Sequence, residues 1–158
     1  MLKVGIIGAG RMGNAHAENL AKLKSVAVTA VYDIDPAKAA AFVGKYPGVA
    51  VKNSAEELVN APEVELIVIT SPTYCHKEGL LPAMATGKPI FCEKPLCRTP
   101  EDFKELAPLI SSYKNLFAIG FVRRYSPGVV LMDKLISEGK IGKIICASVC
   151  CLFGGYRR

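Results

Sequence analysis

Short apolar runs alternate with amphipathic segments from the N-terminus to about residue 120. The runs predict six strands: Leu2–Ile7, Val26–Asp33, Val49–Val51, Val64–Thr70, Pro89–Cys92 and Leu116–Gly120. In Glu65–Ile69 only the first side chain is polar, which is typical of a strand covered on both faces. After the first run, Met12, His16, Leu20 and Leu23 recur at helical spacing. The pattern therefore predicts strands and helices in alternation.

Several predicted helices begin with recognisable signals. Ser54 and Glu57 have the spacing of a capping box, in which each side chain bonds the other residue's backbone amide. Asp35 and Thr99 each precede a proline, a residue suited to the first helical position. Strands separated by helices and short turns favour right-handed crossovers. We therefore predict an α/β fold with a doubly wound parallel sheet.

The pattern changes after about residue 120. A helix is predicted over Ser126–Lys140 and a last strand over Lys143–Phe153. We assign residues 1–122 to one domain and residues 123–158 to the start of a second α/β domain, which the family resemblance described below implies to serve substrate binding and oligomerisation. The apolar segment 144–153 contains no charge, proline or glycine, so we expect self-association into a homo-oligomer through its exposed edge.

A glycine motif follows the first predicted strand. Gly8-Ala9-Gly10-Arg11-Met12-Gly13 matches G-x-G-x-x-G and opens a helix, as a dinucleotide-binding Rossmann fold requires. Gly8 permits the tight turn, Gly10 leaves room for a pyrophosphate, and Gly13 allows close helix packing. Backbone N–H groups of the first helical turn, including those of Arg11 and Met12, are expected to hold the diphosphate.

An acidic residue at the end of the second predicted strand indicates which dinucleotide is bound. Asp33 lies 20 residues after Gly13, where a carboxylate can accept the adenosine ribose hydroxyls. The same charge repels a 2′-phosphate, so NAD is favoured as cofactor. NADP stays open as the less favoured cofactor, because Arg11 could reach a 2′-phosphate.

The composition narrows the classes of protein to which this chain could belong. Hydrophobic residues make up 51% and charged residues 22% of the sequence, and no apolar run reaches the length of a membrane span. No signal peptide precedes the first strand, so a cytoplasmic location is expected. The sequence has six cysteines, no two of which form a C-x-x-C pair, and only two histidines that could complete a metal site. We expect buried reduced thiols and no metal.

The net charge of +6 does not indicate nucleic-acid binding. Residues 1–122 carry 13 basic and 12 acidic side chains, whereas residues 123–158 carry 7 and 2. The excess is dispersed among acidic and apolar positions, and a dispersed charge does not form a phosphate-binding track. We therefore expect no nucleic-acid partner.

Three further stretches resemble those of a known family. They read T-S-P-T-Y-C-H at residues 70–76, G-K-P-I-F-C-E-K-P at residues 87–95 and G-F-V-R-R-Y at residues 120–125. In this order and spacing the chain resembles the Gfo/Idh/MocA oxidoreductases, and the last stretch is most similar to the inositol dehydrogenases. The resemblance covers the whole chain.

The resemblance implies roles for individual residues. Lys94 would be catalytic, contacting the nicotinamide and the substrate hydroxyl, and Glu93 would hydrogen-bond the nicotinamide ribose. Ser71 and Pro72 would line the cofactor's path, and the bond from Lys94 to Pro95 would be cis. Arg123 would contact substrate or nicotinamide, and the alternative is that it forms an exposed basic pair with the next residue.

The two histidines receive structural interpretations. His16 lies on the apolar stripe of the first helix and is interpreted as a packed helix residue. His76 opens the helix after Ser71 and Pro72, and the resemblance implies that it orients that turn rather than transferring protons. The family's second domain carries a D-x-x-x-H motif, and no histidine follows His76 here. The chain is therefore expected to be the nucleotide-binding part of a longer protein.

The function implied by the resemblance is NAD-dependent oxidation of a secondary alcohol on a sugar or cyclitol, with the base-bearing domain missing from this chain. The chain alone is expected to be incomplete for catalysis. The alternative is a non-catalytic NAD-binding sensor or assembly module, because one fold supports many functions.

Overall fold

Six parallel strands form the sheet in the computed structural model, which describes residues 1–150. In chain order they are β1 (Leu2–Ile7), β2 (Val26–Tyr32), β3 (Ala50–Val51), β4 (Leu66–Ile69), β5 (Ile90–Cys92) and β6 (Phe117–Ile119). They lie in the order β3-β2-β1-β4-β5-β6, and every neighbouring pair is parallel. The predicted doubly wound α/β fold is confirmed, with strand ends that differ from prediction by at most two residues.

Helices connect the strands. They are α1 (Arg11–Leu20), α2 (Pro36–Lys45), α3 (Ala55–Asn60), α4 (His76–Ala85), α5 (Pro100–Ser112) and α6 (Pro127–Ser137). Ser54 caps α3 through its side chain as predicted, and α2 and α5 begin at the predicted prolines, where the side chains of Asp35 and Thr99 also act as caps. Of the two hydrogen bonds predicted for the capping box at α3, the one from the backbone N–H of Glu57 to the Ser54 hydroxyl forms. The other does not, because the Glu57 carboxylate accepts the backbone N–H of Asn53 rather than that of Ser54.

The sheet is covered on both faces, which explains the unbroken apolar runs. Ile67 and Ile69 of β4 pack into one buried cluster with Leu80 of α4, whereas Val68 packs into another with Phe42 of α2. All five side chains are at most 4% exposed. Alternate residues of one strand therefore enter opposite layers, and each layer buries its own helices.

The chain divides into two compact units, Met1–Gly120 and Phe121–Arg158. In the second unit, α6 is three residues shorter at its C-terminal end than the predicted helix. The predicted strand Lys143–Phe153 is wrong over its first eight residues, because residues 143–150 form no strand. A strand is held by a hydrogen-bonded neighbour, and the described residues supply none to this segment. Residues 151–153 lie outside the described part.

The prediction of buried thiols is correct for Cys92 and wrong for the two described cysteines of the second unit. Cys92 is buried, and Cys75 and Cys97 are half-buried, whereas Cys146 and Cys150 are exposed because their segment forms no covered strand. The five described cysteines are free thiols, and Cys151 lies outside the described residues. No helix between residues 1 and 150 has the length and apolar character needed to cross a membrane.

Candidate functional site

A loop made of bare backbone joins β1 to α1. Gly8 has φ +105°, and a Cβ there would lie 2.5 Å from the backbone nitrogen of Ser71. A Cβ on Gly13 would fall on the carbonyl oxygen of Gly8, whereas one on Gly10 would meet nothing within 4 Å. Gly8 is thus required by the close approach of the backbone that follows β4, and Gly13 by the packing of α1 on the loop, while Gly10 faces open space in which a ligand could approach the backbone.

The first turn of α1 offers its amide groups to a ligand. Gly10 is the N-cap and supplies no side-chain cap, unlike the caps of α2, α3 and α5. Arg11 is exposed and Met12 half-buried in this turn. Asn14, which the sequence analysis did not single out, donates from Nδ2 to the carbonyl oxygens of Ala9 at 2.8 Å and Gly10 at 2.9 Å. Because Gly10 has no side chain to accept from them, the first-turn N–H groups and the positive end of the helix dipole are left for an anion.

Asp33 follows β2 directly and touches the glycine loop. Its Oδ2 accepts the backbone N–H of Ala9 at 2.7 Å, and its Oδ1 accepts that of Asp35 at 2.9 Å. Each carboxylate oxygen has further acceptor capacity, so both can still accept ribose hydroxyls. Asp33 therefore has a second role that its spacing does not reveal, which is to hold the loop against the end of β2.

A cleft opens beside Asp33 at the carboxyl ends of β1, β2 and β4. Its lining includes Ser71 and Pro72, as well as Glu56 and Glu78. Among the described residues that line it, three are acidic and none is basic. The negative potential of three carboxylates opposes a second phosphate on the ribose.

Ser71 contains a polar atom without a partner. Its Oγ is buried and has no hydrogen-bond partner among the described residues. A buried hydroxyl is normally hydrogen-bonded, so an orphaned one within a cleft fits a polar ligand. The bare loop, the uncapped α1, Asp33 and this hydroxyl together fit a dinucleotide lying across the edge of the sheet between β1 and β4, where the strand order reverses.

The E-K-P turn lies at the carboxyl end of β5. The Lys94–Pro95 bond is cis, as the resemblance implied. Lys94 is exposed, whereas Glu93 is 5% exposed and its backbone N–H donates to the carbonyl oxygen of Ile69. The turn thus places an exposed lysine directly after a buried glutamate in the chain.

His76 connects this turn to the one that follows β4. Its Nε2 lies 2.9 Å from the carbonyl oxygen of Ser71, and its Nδ1 lies 2.9 Å from that of Pro95. The ring is 1% exposed. The structure therefore confirms that His76 orients the Ser71 turn, and it shows that the same ring also holds the cis turn.

His16 packs as predicted and makes one contact that was missed. Its ring lies edge-on to Phe91 of β5, with centroids 5.1 Å apart. Its Nε2 also lies 2.9 Å from Oε1 of Glu93. Helical spacing identified the packing face, but a contact across 77 residues leaves no local signal.

Two further residues of the family-like stretches have structural roles. Lys88 donates from Nζ to the carbonyl oxygens of Val59 at 2.7 Å and Ala61 at 3.0 Å, which ties the start of β5 to the end of α3. Burial lowers the pKa of Lys88. Burial also raises the pKa of the Cys92 thiol to about 12, so this cysteine stays protonated and unreactive.

The remaining site predictions concern metals and Arg123. Between residues 1 and 150, no group of three or more His, Cys, Asp or Glu side chains is placed to hold a metal ion. Arg123 lies in the second unit, in a 3-10 turn over Val122–Tyr125, where its carbonyl oxygen accepts the hydroxyl of Ser126 at 2.9 Å. Its predicted contact with substrate or nicotinamide stays a prediction.

Comparison with known proteins finds dehydrogenases that are similar to this chain. The inositol 2-dehydrogenase of Klebsiella pneumoniae is 38% identical over 145 residues, which are 89% of this chain and 43% of that protein. The glucose-6-phosphate 3-dehydrogenase of Bacillus subtilis is 34% identical over 149 residues, covering 94% of this chain and 42% of that protein. This chain therefore spans less than half the length of these relatives.

A solved structure agrees with the fold in detail. The myo-inositol dehydrogenase of Lactobacillus casei, in complex with NAD(H) and myo-inositol, superposes with a TM-score of 0.85 at 34% identity. The match covers 90% of this chain and 43% of that one. The profile of the Gfo/Idh/MocA oxidoreductase family, an NAD-binding Rossmann fold, matches residues 2–121. On this evidence, with the glycine loop and the cis E-K-P turn in place, the chain belongs to the Gfo/Idh/MocA family of NAD-binding oxidoreductases.

Proposed function

We propose that this chain forms the nucleotide-binding part of an NAD-dependent dehydrogenase that oxidises a secondary alcohol of a cyclitol or sugar. One observation carries the proposal. The glycine loop with Asp33 lies on one side of the point where the strand order reverses, and the exposed Lys94 lies on the other side, at the end of β5. A dinucleotide bound across that point extends from the first position towards the second.

The cofactor's two halves would contact different residues. Gly8, Gly10 and Gly13, with the first-turn amides of Arg11 and Met12, would hold the diphosphate. Asp33 would accept the hydroxyls of the adenosine ribose, and the orphaned Ser71 hydroxyl with the adjacent Pro72 would line the path towards the nicotinamide. Glu93 would accept from the nicotinamide ribose.

Bound NAD+ would supply a hydride acceptor. An ammonium group only donates hydrogen bonds, so Lys94 would donate to the substrate hydroxyl oxygen. It would stabilise the negative charge that develops there as the proton leaves. Arg123 would contact substrate or nicotinamide. The substrate class rests on the similarity to inositol dehydrogenases.

Location and assembly are part of the same proposal. Cofactor and polyol substrate fit a cytoplasmic enzyme, and the exposed apolar side chains of Ile144, Ile145 and Val149 favour association into a homo-oligomer. No observation favours the alternative of a non-catalytic NAD-binding module. The reading frame that contains this chain separates the two, because an in-frame D-x-x-x-H motif would support the dehydrogenase.

Cofactor preference is tested by titrating the chain with NADH and NADPH and following nicotinamide fluorescence. NADH should bind at least about tenfold more tightly, a difference of about 1.4 kcal/mol. Asp33→Asn is the matched variant, since it keeps the size of the side chain and removes its charge. The preference should shrink in this variant. Equal affinities in the unaltered chain would refute the role of Asp33.

A further inference from the structure

The carboxylate of Glu93 is enclosed to an unusual degree for an acidic side chain. Glu93 is 5% exposed, and ionised side chains are buried only where hydrogen bonds compensate for lost water. Its Oε1 lies 2.9 Å from Nε2 of His16, and its Oε2 accepts the backbone N–H of Lys94 at 3.1 Å. One oxygen is therefore held by a side chain of α1 and the other by the E-K-P turn itself.

Gly120 completes the enclosure. A Cβ at this position would lie 3.1 Å from Cδ of Glu93. The backbone N–H of Gly120 donates to the carbonyl oxygen of Cys92 at 2.8 Å, which fixes it at the end of β6. With backbone on one side and His16 on the other, the Glu93 side chain has little freedom to rotate.

His16 is itself fixed from two directions. It lies on α1 one turn after the glycine motif, and its ring is held edge-on by Phe91 of β5. Its side chain is 23% exposed, so most of its surface is packed. The ring therefore bridges α1, the helix expected to hold the diphosphate, and β5, the strand that directly precedes Glu93.

We propose that His16 is a positioning residue, whose Nε2–H fixes Glu93 and thereby the orientation of the Lys94 turn towards the nicotinamide half of the cofactor. This inference rests on the proposed function. Either the neutral ring protonated at Nε2 or the imidazolium can donate to a carboxylate, so the contact needs no particular charge on His16. The adenosine half would bind at the ends of β1 and β2, so this contact should leave its binding unchanged.

Two amide substitutions provide a matched pair. Glutamine at position 16 carries a donor at about the distance of Nε2 from the backbone, whereas asparagine carries one at about the distance of Nδ1. His16→Gln can therefore reach Glu93, and His16→Asn cannot. Both variants are polar and similar in helix propensity to histidine or better. Far-UV circular dichroism establishes that each is folded.

The readout is the affinity for two probes, NADH and ADP, measured on the 158-residue chain. NADH contains the nicotinamide ribose, whereas ADP ends at the diphosphate. For His16→Asn we expect NADH to bind on the order of tenfold more weakly and ADP to bind as in the unaltered chain, because Glu93, no longer held by His16, would have to be ordered when it accepts the nicotinamide ribose. For His16→Gln we expect most of the NADH affinity to return.

A third variant tests whether His16 acts through Glu93. In a Glu93→Gln background, His16→Asn should have little further effect on the ratio of NADH to ADP affinity, because the two residues belong to one interaction. An undiminished effect in that background would contradict the proposal.

Two other results would also overturn it. Equal weakening of NADH and ADP would assign His16 to the support of α1 alone, and unchanged NADH affinity in His16→Asn would show that the contact is dispensable. Failure of the unaltered chain to bind both probes would instead overturn the proposed function, and this inference with it.

Discussion

Alanine at two glycines of the G-x-G-x-x-G motif should separate folding from cofactor binding. In Gly13→Ala the new Cβ would fall on the carbonyl oxygen of Gly8 and lie 3.1 Å from Oγ1 of Thr70. Overpacking costs about 1–3 kcal/mol, and a backbone obstacle places this site at the upper end. Replacing a glycine inside α1 returns about 1 kcal/mol. We therefore expect the free energy of unfolding to fall by about 2 kcal/mol.

Gly10→Ala should behave in the opposite way. Its Cβ meets nothing within 4 Å, and the residue has φ −71°, which alanine adopts readily. The weaker N-cap and the smaller backbone entropy of the unfolded chain roughly offset each other, so stability should change by about 0.5 kcal/mol or less. The methyl group would stand where a diphosphate approaches the backbone, so NADH should bind at least about tenfold more weakly.

Gly44→Ala is the control for both variants. Gly44 is exposed in α2, and a Cβ there meets nothing within 4 Å. This variant should gain up to about 1 kcal/mol of stability and bind NADH normally. Urea unfolding followed by far-UV circular dichroism gives the stabilities. NADH fluorescence gives the affinities without a tryptophan background, since the chain has no tryptophan. Unchanged stability in Gly13→Ala, or unchanged NADH affinity in Gly10→Ala, would refute the reasoning.

Three further predictions concern stability and association. His76→Leu removes a buried ring that bridges two carbonyl oxygens, so urea unfolding should show a loss of about 3 kcal/mol, and a loss below about 1 kcal/mol would contradict the bridge. The Lys77 ammonium lowers the pKa of Asp102. The stability that this pair contributes should therefore be fully present above pH 3.8, the ordinary pKa of an aspartate, and should disappear as the pH falls through the lower pKa of Asp102 in the folded protein. An Asp102→Asn variant should lose that part of the acid dependence, as urea unfolding across pH can show. The segment 144–153 should cause self-association, so that light scattering in reductant gives a higher mass for the full chain than for a monomer. A chain ending at Lys143 should remain monomeric. The same association state for both chains would exclude the segment as the cause.

Local sequence signals determined most of the fold. β1 begins and ends at the predicted residues, and the helix starts after Asp35, Ser54 and Thr99 are those read from the sequence. Each of these features depends on residues a few positions apart, so the sequence alone shows the spacing that produces it. The glycine motif is of the same kind, because a tight turn and an uncapped helix are local properties of the backbone.

Only the tertiary structure decided which of these pieces touch. The partners of Glu93 and Lys88 lie 77 and 27–29 residues away, and their contacts depend on the order in which the strands pair. The same dependence explains the error at residues 143–150, where apolar composition predicted a strand. Composition makes a segment suitable for a sheet, but a strand exists only where a neighbouring strand accepts and donates its backbone hydrogen bonds.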